Sequence, residues 1–106
     1  MARTLIHLPP TIRRGDTIDV RATIAHPMET GFRADSNGQV LPRDILTRFE
    51  CRLDGALVFA ADMFPALTAN PMLAFTLRAE RVGTLSFTWE GDRGFRQTES
   101  LPLVIA

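Results

Sequence analysis

Few side chains in this chain can do chemistry. Cys51 is the one thiol, and His7 and His26 are the only imidazoles. An internal disulfide, a site of several thiolates and a zinc site with paired histidine spacing are therefore excluded. A nucleophilic thiolate needs partial exposure and a cationic neighbour. Cys51 instead alternates with Phe49 and Leu53, which places it on an apolar face as a small hydrophobe. His26, Glu29, Asp35 and Asp44 fall in or beside one irregular stretch, where a metal or acid–base cluster is conceivable. One loop rarely holds a nucleophile, a base and an orienting group in mutual geometry. The simpler reading is that His26-Pro27 ends a strand, because the residue before proline is held extended. His7, between Ile6 and Leu8, reads as strand-face filler. Trp89 shares a face with Phe87 and Leu85, so it reads as core rather than as a ligand-stacking platform. The chain has no Gly-rich phosphate loop.

The elements that position these residues have an apolar period of two. Ile18, Val20, Ala22 and Ile24 alternate with Thr17, Asp19, Arg21 and Thr23, the pattern of a half-buried strand. Phe49, Cys51 and Leu53 alternate with Arg48, Glu50 and Arg52. Asp54-Gly55 then supplies a tight turn, after which Leu57, Phe59 and Ala61 resume the inward face. Leu73, Phe75, Leu77 and Ala79 form another such set, and Leu85, Phe87 and Trp89 another, up to Gly91-Asp92-Arg93-Gly94. An opening strand near residues 3–8 and a last strand over about 95–105 bring the count to about seven. Only Pro42 to Leu46 and Pro65 to Leu67 offer a short helical turn. The expected fold is all-β, an immunoglobulin- or fibronectin-like antiparallel sandwich, formed by residues 1–106 as a single domain.

Two stretches exceed what a minimal sandwich needs. Residues 26–44 form a nineteen-residue loop with Pro27, Gly31, Gly38 and Pro42, and loops of that length are usually functional or disordered. Ser36-Asn37-Gly38 can turn inside it, making the loop a small hairpin beyond the sheets. The connection Met63-Phe64-Pro65-Ala66-Leu67, joined to Asn70-Pro71-Met72, is apolar outside any strand. It either covers a sheet edge or presents a docking patch.

Composition narrows the function. Twelve arginines, no lysine and twelve acidic residues give a net charge of +0, which argues against a nucleic-acid or membrane-surface protein. Hydrophobic residues at 45% and charged residues at 23% are the mix of a folded domain, not of a disordered or collagenous chain. No apolar run approaches the ~20 residues of a membrane span. The first ten residues lack the apolar core of a signal peptide, which by itself reads as cytoplasmic.

The loop carries a recognisable string. His26-Pro27-Met28-Glu29-Thr30-Gly31, then Arg33, Asp35, Gly38, Pro42-Arg43 and Ile45, followed by Phe49-Glu50-Cys51, closely resembles the SoxZ family. The likeness continues through Asp54-Gly55, Val58-Phe59, Asp62, Pro65, Ala69-Asn70-Pro71, Phe75, Gly83 and Phe87-Thr88-Trp89. The resemblance implies a non-catalytic subunit of the SoxYZ carrier of bacterial thiosulphate oxidation, without cofactor. The partner SoxY bears sulphur intermediates on the cysteine of a Gly-rich C-terminal arm, and the other Sox enzymes and cytochromes act on them in turn. This chain ends Leu101-Pro102-Leu103-Val104-Ile105-Ala106, without Gly or Cys, and is expected to be the scaffold that binds SoxY. The resemblance also implies a periplasmic protein exported with SoxY, having no signal of its own. Expected contacts with SoxY are His26, Pro27, Met28, Glu29, Thr30, Gly31, Arg33, Arg43, Met63, Phe64, Asn70 and Pro71. Among these the charged residues would give orientation and selectivity more than affinity. Isolated, such a chain is expected to self-associate, as a homodimer or larger. Two other classes compete: a stand-alone periplasmic ligand-binding sandwich with a pocket near Trp89, and a thiol enzyme using Cys51.

Overall fold

The computed structural model describes residues 2–65 and 68–106. Seven strands form where the period-two pattern places them: β1 (Thr4–His7), β2 (Thr17–Ile24), β3 (Leu46–Leu53), β4 (Ala56–Asp62), β5 (Met72–Arg78), β6 (Gly83–Gly91) and β7 (Arg96–Leu103). They pair antiparallel in a three-stranded sheet of order β1-β2-β5 and a four-stranded sheet of order β4-β3-β6-β7. The all-β sandwich is therefore the observed architecture.

The inward sets meet in one core. Ile18, Val20, Ala22 and Ile24 of β2 face Phe49, Cys51 and Leu53 of β3 and Leu85, Phe87 and Trp89 of β6, all of them buried. Phe49 is the hub, its ring centroid lying 5.2 Å from Trp89, 6.1 Å from Phe75, 6.2 Å from Phe59 and 6.3 Å from Phe87. Phe75 belongs to the other sheet and stacks on Phe59 with centroids 4.3 Å apart, so the aromatic cluster joins the two layers. Such pairs contribute about 0.5–1.5 kcal/mol each beyond the area they bury. At the sandwich edge Gln97 is buried and clamps the N-terminal segment, accepting from Ala2 N–H at 2.9 Å and donating to Ala2 C=O at 2.8 Å.

Three details depart from the sequence pattern. Leu57, expected to face inward, is 49% exposed. A bulge shifts the β3–β4 register between Cys51 and Arg52, so that Cys51 pairs with Phe59 but Arg52 with Leu57. One inserted residue moves the following side chains to the other face. A second irregularity between Leu46 and Arg48 lets Leu46 and Phe49, three apart, both point inward. The stretch Pro42 to Leu46 is extended rather than helical, because Asp44 pairs with Glu29 and Leu46 begins β3. Among the described residues the single turn of helix lies instead at Asp92–Gly94, where Arg93 and Gly94 have positive φ. Of the other proposed turn, Ala66 and Leu67 lie outside the described residues.

The Asp54-Gly55 hairpin forms as expected, with φ of 48° and 86°, the two positive values of a type I′ turn. It lies at one end of the sandwich, and the 29–44 excursion lies at the other. The molecule measures 57 × 21 × 21 Å with a radius of gyration of 16.1 Å, against roughly 13 Å for a compact chain of this length. An eight-residue strand spans only about 27 Å, so segments beyond the sheets set the long axis.

Phe49→Ala removes the hub and is expected to cost about 3–5 kcal/mol. Trp89, the only tryptophan, reports the loss as a lower urea midpoint with its fluorescence shifting to the red.

Candidate functional site

The 26–44 stretch folds as a hairpin lobe. Glu29 and Asp44 exchange both backbone hydrogen bonds at 2.8 Å. Leu41 N–H donates to Arg33 C=O at 2.8 Å, Ala34 pairs with Val40, and Asp35 N–H donates to Gln39 C=O at 2.8 Å. The tip is closed by Asp35, whose Oδ1 accepts from the amides of Asn37 at 2.8 Å and Gln39 at 3.0 Å, the local capping for which Asp is favoured in turns. Gly38 supplies the positive φ there. Gly31 is required twice: its φ is +87°, and a Cβ would stand 3.1 Å from Arg43 Cβ on the opposite arm.

The root of the lobe is polar and is organised by one carboxylate. Asp92, in the turn after β6, accepts from Arg43 Nε at 2.9 Å and from Arg43 NH2 at 2.8 Å, and also from the Ile45 amide at 3.1 Å. Its own amide donates to Ile45 C=O at 2.9 Å. This bidentate fork holds the Asp92 carboxyl below the usual carboxylate range and raises the Arg43 guanidinium. Along the outgoing arm Arg33 forks onto Glu29 in the same way, at 2.6 and 3.2 Å, and lowers that carboxyl. His26 is buried; its backbone N–H donates to Asn70 Oδ1 at 2.9 Å and its C=O accepts from the Asn70 amide at 2.7 Å. Met28 takes the left-handed φ of 51° and is buried, with its Sδ accepting from the Leu46 amide at 3.3 Å.

The structure thus brings the expected contact residues to one end of the sandwich, in two classes. Pro27, Arg33, Arg43, Phe64 and Asn70 are exposed, and Glu29, Thr30 and Gly31 are half-buried. His26, Met28, Met63 and Pro71 are buried and support the lobe from below rather than presenting a surface. Met63 reaches this end through its amide, which donates to Thr47 C=O at 2.9 Å, so the apolar connection both covers the core with Met63 and exposes Phe64. Asp92 was not among the expected residues. Its partners lie 47 and 49 positions away, and a single acid in a Gly-rich turn gives no sequence signal for them.

The arrangement offers little for bond-making. Glu29, Arg33, Arg43 and Asp92 are committed to one another, and among the described residues no group of three His, Cys, Asp or Glu could hold a metal ion. Cys51 is wholly buried, and burial pushes its thiol up to about 12. Among its exposed residues, which include polar ones from Arg33 to Gln39, the lobe presents two large apolar side chains, Phe32 at 88% and Val40 at 65%.

Two outcomes follow from this geometry. Cys51 in the native protein is expected to resist a maleimide at pH 8 and to react only as urea unfolds the chain. Asp92→Asn leaves the arginine fork without its carboxylate, so trypsin is expected to cut after Arg33 and Arg43 faster than in the parent. Circular dichroism should show the sheets of that variant intact.

Comparison with known proteins agrees with the architecture and sharpens it. Solved structures with similar folds include the superoxide reductase (neelaredoxin) from Ignicoccus hospitalis, with 14% identity and a TM-score of 0.72, covering 99% of this chain and 82% of that one. A putative superoxide reductase from Thermotoga maritima shows 12% identity and a TM-score of 0.72, over 97% of this chain and 85% of its own. CHIR-AB1 shows 15% identity and a TM-score of 0.61 over the whole of both chains. At such identities the likeness is one of fold alone. No curated protein matches the sequence. The family model described as sulphur oxidation protein SoxZ matches residues 6–102, which takes in β2 to β6 whole, nearly all of β7, the hairpin lobe and its root, and the chain therefore belongs to the SoxZ family.

Proposed function

We propose that this chain is the scaffold subunit of a two-subunit sulphur carrier. It binds SoxY, whose arm cysteine carries the sulphur intermediates of thiosulphate oxidation, and itself forms no bond to sulphur. The observation that carries this reading is the state of Cys51. A subunit that bears sulphur needs an accessible thiolate, and the only thiol of this chain sits in the middle of β3 with no exposure and a pKa pushed up to about 12. What the family membership asks of this chain is then met by its surface.

The lobe end is the surface we assign to SoxY. Glu29, Arg33, Arg43 and Asp92 are paired within the chain, which leaves exposed Phe32, Val40 and Phe64 as apolar groups that gain from being covered. A stable heteromer buries on the order of 1,600 Å² in all, about 800 Å² on each partner, and the contact extends onto the connection carrying Phe64 and Asn70, which lies at the same end. Glu29, Arg33 and Arg43 act here by stiffening the lobe, and so lower the ordering cost of docking. The complex works in the periplasm, where the other Sox enzymes and cytochromes reach the SoxY arm.

Co-expression with tagged SoxY tests the assignment. Phe32→Asp and Phe64→Asp are expected to raise the dissociation constant roughly thirty-fold each, the equivalent of about 2 kcal/mol for an anchor residue. Val82→Asp, an exposed apolar residue at the far end of the sandwich, should bind like the parent. Equal retention of all three variants would remove the lobe end as the contact, and failure of the parent chain to bind SoxY would remove the scaffold reading itself.

A further inference from the structure

Both arms of the lobe converge on one buried imidazole. His26 is 5% exposed, its Nδ1 accepts a hydrogen bond from the Met28 amide at 3.1 Å, and its Nε2 lies 3.7 Å from Asp44 Oδ1. A ring nitrogen that accepts carries no proton, so this geometry specifies the neutral tautomer with its proton on Nε2. The outgoing arm is thus held through Met28, and the return arm is approached through Asp44. The Met28 contact matters beyond its own strength, because Met28 is at positive φ and its Sδ accepts from the Leu46 amide at the start of β3.

We propose that His26 is a proton-operated latch: neutral, it holds the outgoing arm of the lobe through the Met28 amide, and protonated, it releases that arm and turns its charge to Asp44. A proton on Nδ1 would set one N–H against another in a buried position. The hydrogen bond is then lost, and the Met28 donor is left without a partner. The groups facing the ring decide how readily this happens. Asp44 faces it from the return arm and favours the charged ring, as does Asp92 from the turn after β6. The Asp92 carboxylate is already engaged by the Arg43 fork and the Ile45 amide, and the Glu29 carboxylate by Arg33. Phe95 packs against the ring nearly perpendicular at 5.5 Å, and the Asn70 side chain is taken up by the His26 backbone. Burial is the largest influence and holds the imidazole below its ordinary 6.5, against the pull of the two carboxylates. The closed lobe therefore binds fewer protons than the open one. Its attachment is complete above about pH 6.5 and is lost as the pH falls through the folded pKa of His26. The inference concerns how the lobe is held and is independent of what the lobe grips.

The test is an NMR titration of the full chain between pH 7.5 and 5.0, following the His26 ring and the amide protection factors together. The ring should titrate below 6.5. Protection at Met28, Glu29 and Asp44 should fall about fivefold or more with the same midpoint, the loss of one net hydrogen bond. Amides of Phe49 and Trp89 should hold. In His26→Asn the Oδ1 can take the Met28 amide as in an Asx turn but does not titrate, so lobe protection should become independent of pH over this range. A ring midpoint at or above 6.5, lobe amides that stay protected while the ring charges, or the parental pH response persisting in His26→Asn would each overturn the latch.

Discussion

Phe49 packed against Phe59, Phe75, Phe87 and Trp89 is the contact on which the rest of the molecule depends. Two antiparallel sheets hold themselves together by backbone hydrogen bonds, but nothing in those ladders fixes one sheet against the other. That is done by side chains crossing the layer, and here the crossing is aromatic, with Phe75 reaching from β5 to Phe49 and Phe59. The packing also determines what the chain can do chemically, because Cys51 lies one pleat from Phe49 on the same buried face. A thiol held there is in low dielectric, and burial pushes it up to about 12, so it stays protonated at neutral pH.

The rigid sandwich serves as a mount for its own exception. Loops that protrude from a sheet end usually move, since they bury little and their backbone is solvated. This one is braced on both arms: by the Glu29–Asp44 backbone pair within it, by Asp92 across the sandwich end, and by His26 and Met28 beneath it. The ion pairs along its surface contribute little energy individually. Their effect is to limit the number of poses the lobe can take. A member of the SoxZ family belongs to a sulphur-oxidation system, and in this chain the one thiol lies buried under the sheet that carries the lobe.

Much of this was legible in the residues. Alternation placed β2 to β6 within a few residues of their observed ends, because one face of each sheet is buried and the pleat then imposes its period on the sequence. The same reasoning placed Cys51 and Trp89 in the core and identified the lobe from its length, its Pro27 and Pro42, and the Ser36-Asn37-Gly38 turn. It went astray at Leu57, where a bulge between Cys51 and Arg52 reverses the faces of an edge strand. The extra residue, Val58, stands in the unbroken apolar run from Leu57 to Ala61, where a change of face does not show.

The amino-acid order alone determined the strand count, the buried and exposed faces and the presence of a turn-closed excursion, because these depend on local propensity and a repeat of two residues. The tertiary structure alone decided which side chains brace that excursion. Asp92 meets Arg43 across 49 positions and Asn70 meets His26 across 44. Both contacts arise because β3 and β6 pair antiparallel, which brings the end of β6 beside the start of β3, and because β2 and β5 pair likewise on the other sheet. Proximity of that kind is a property of strand order, and strand order is settled by the packing of the whole core rather than by any segment of it.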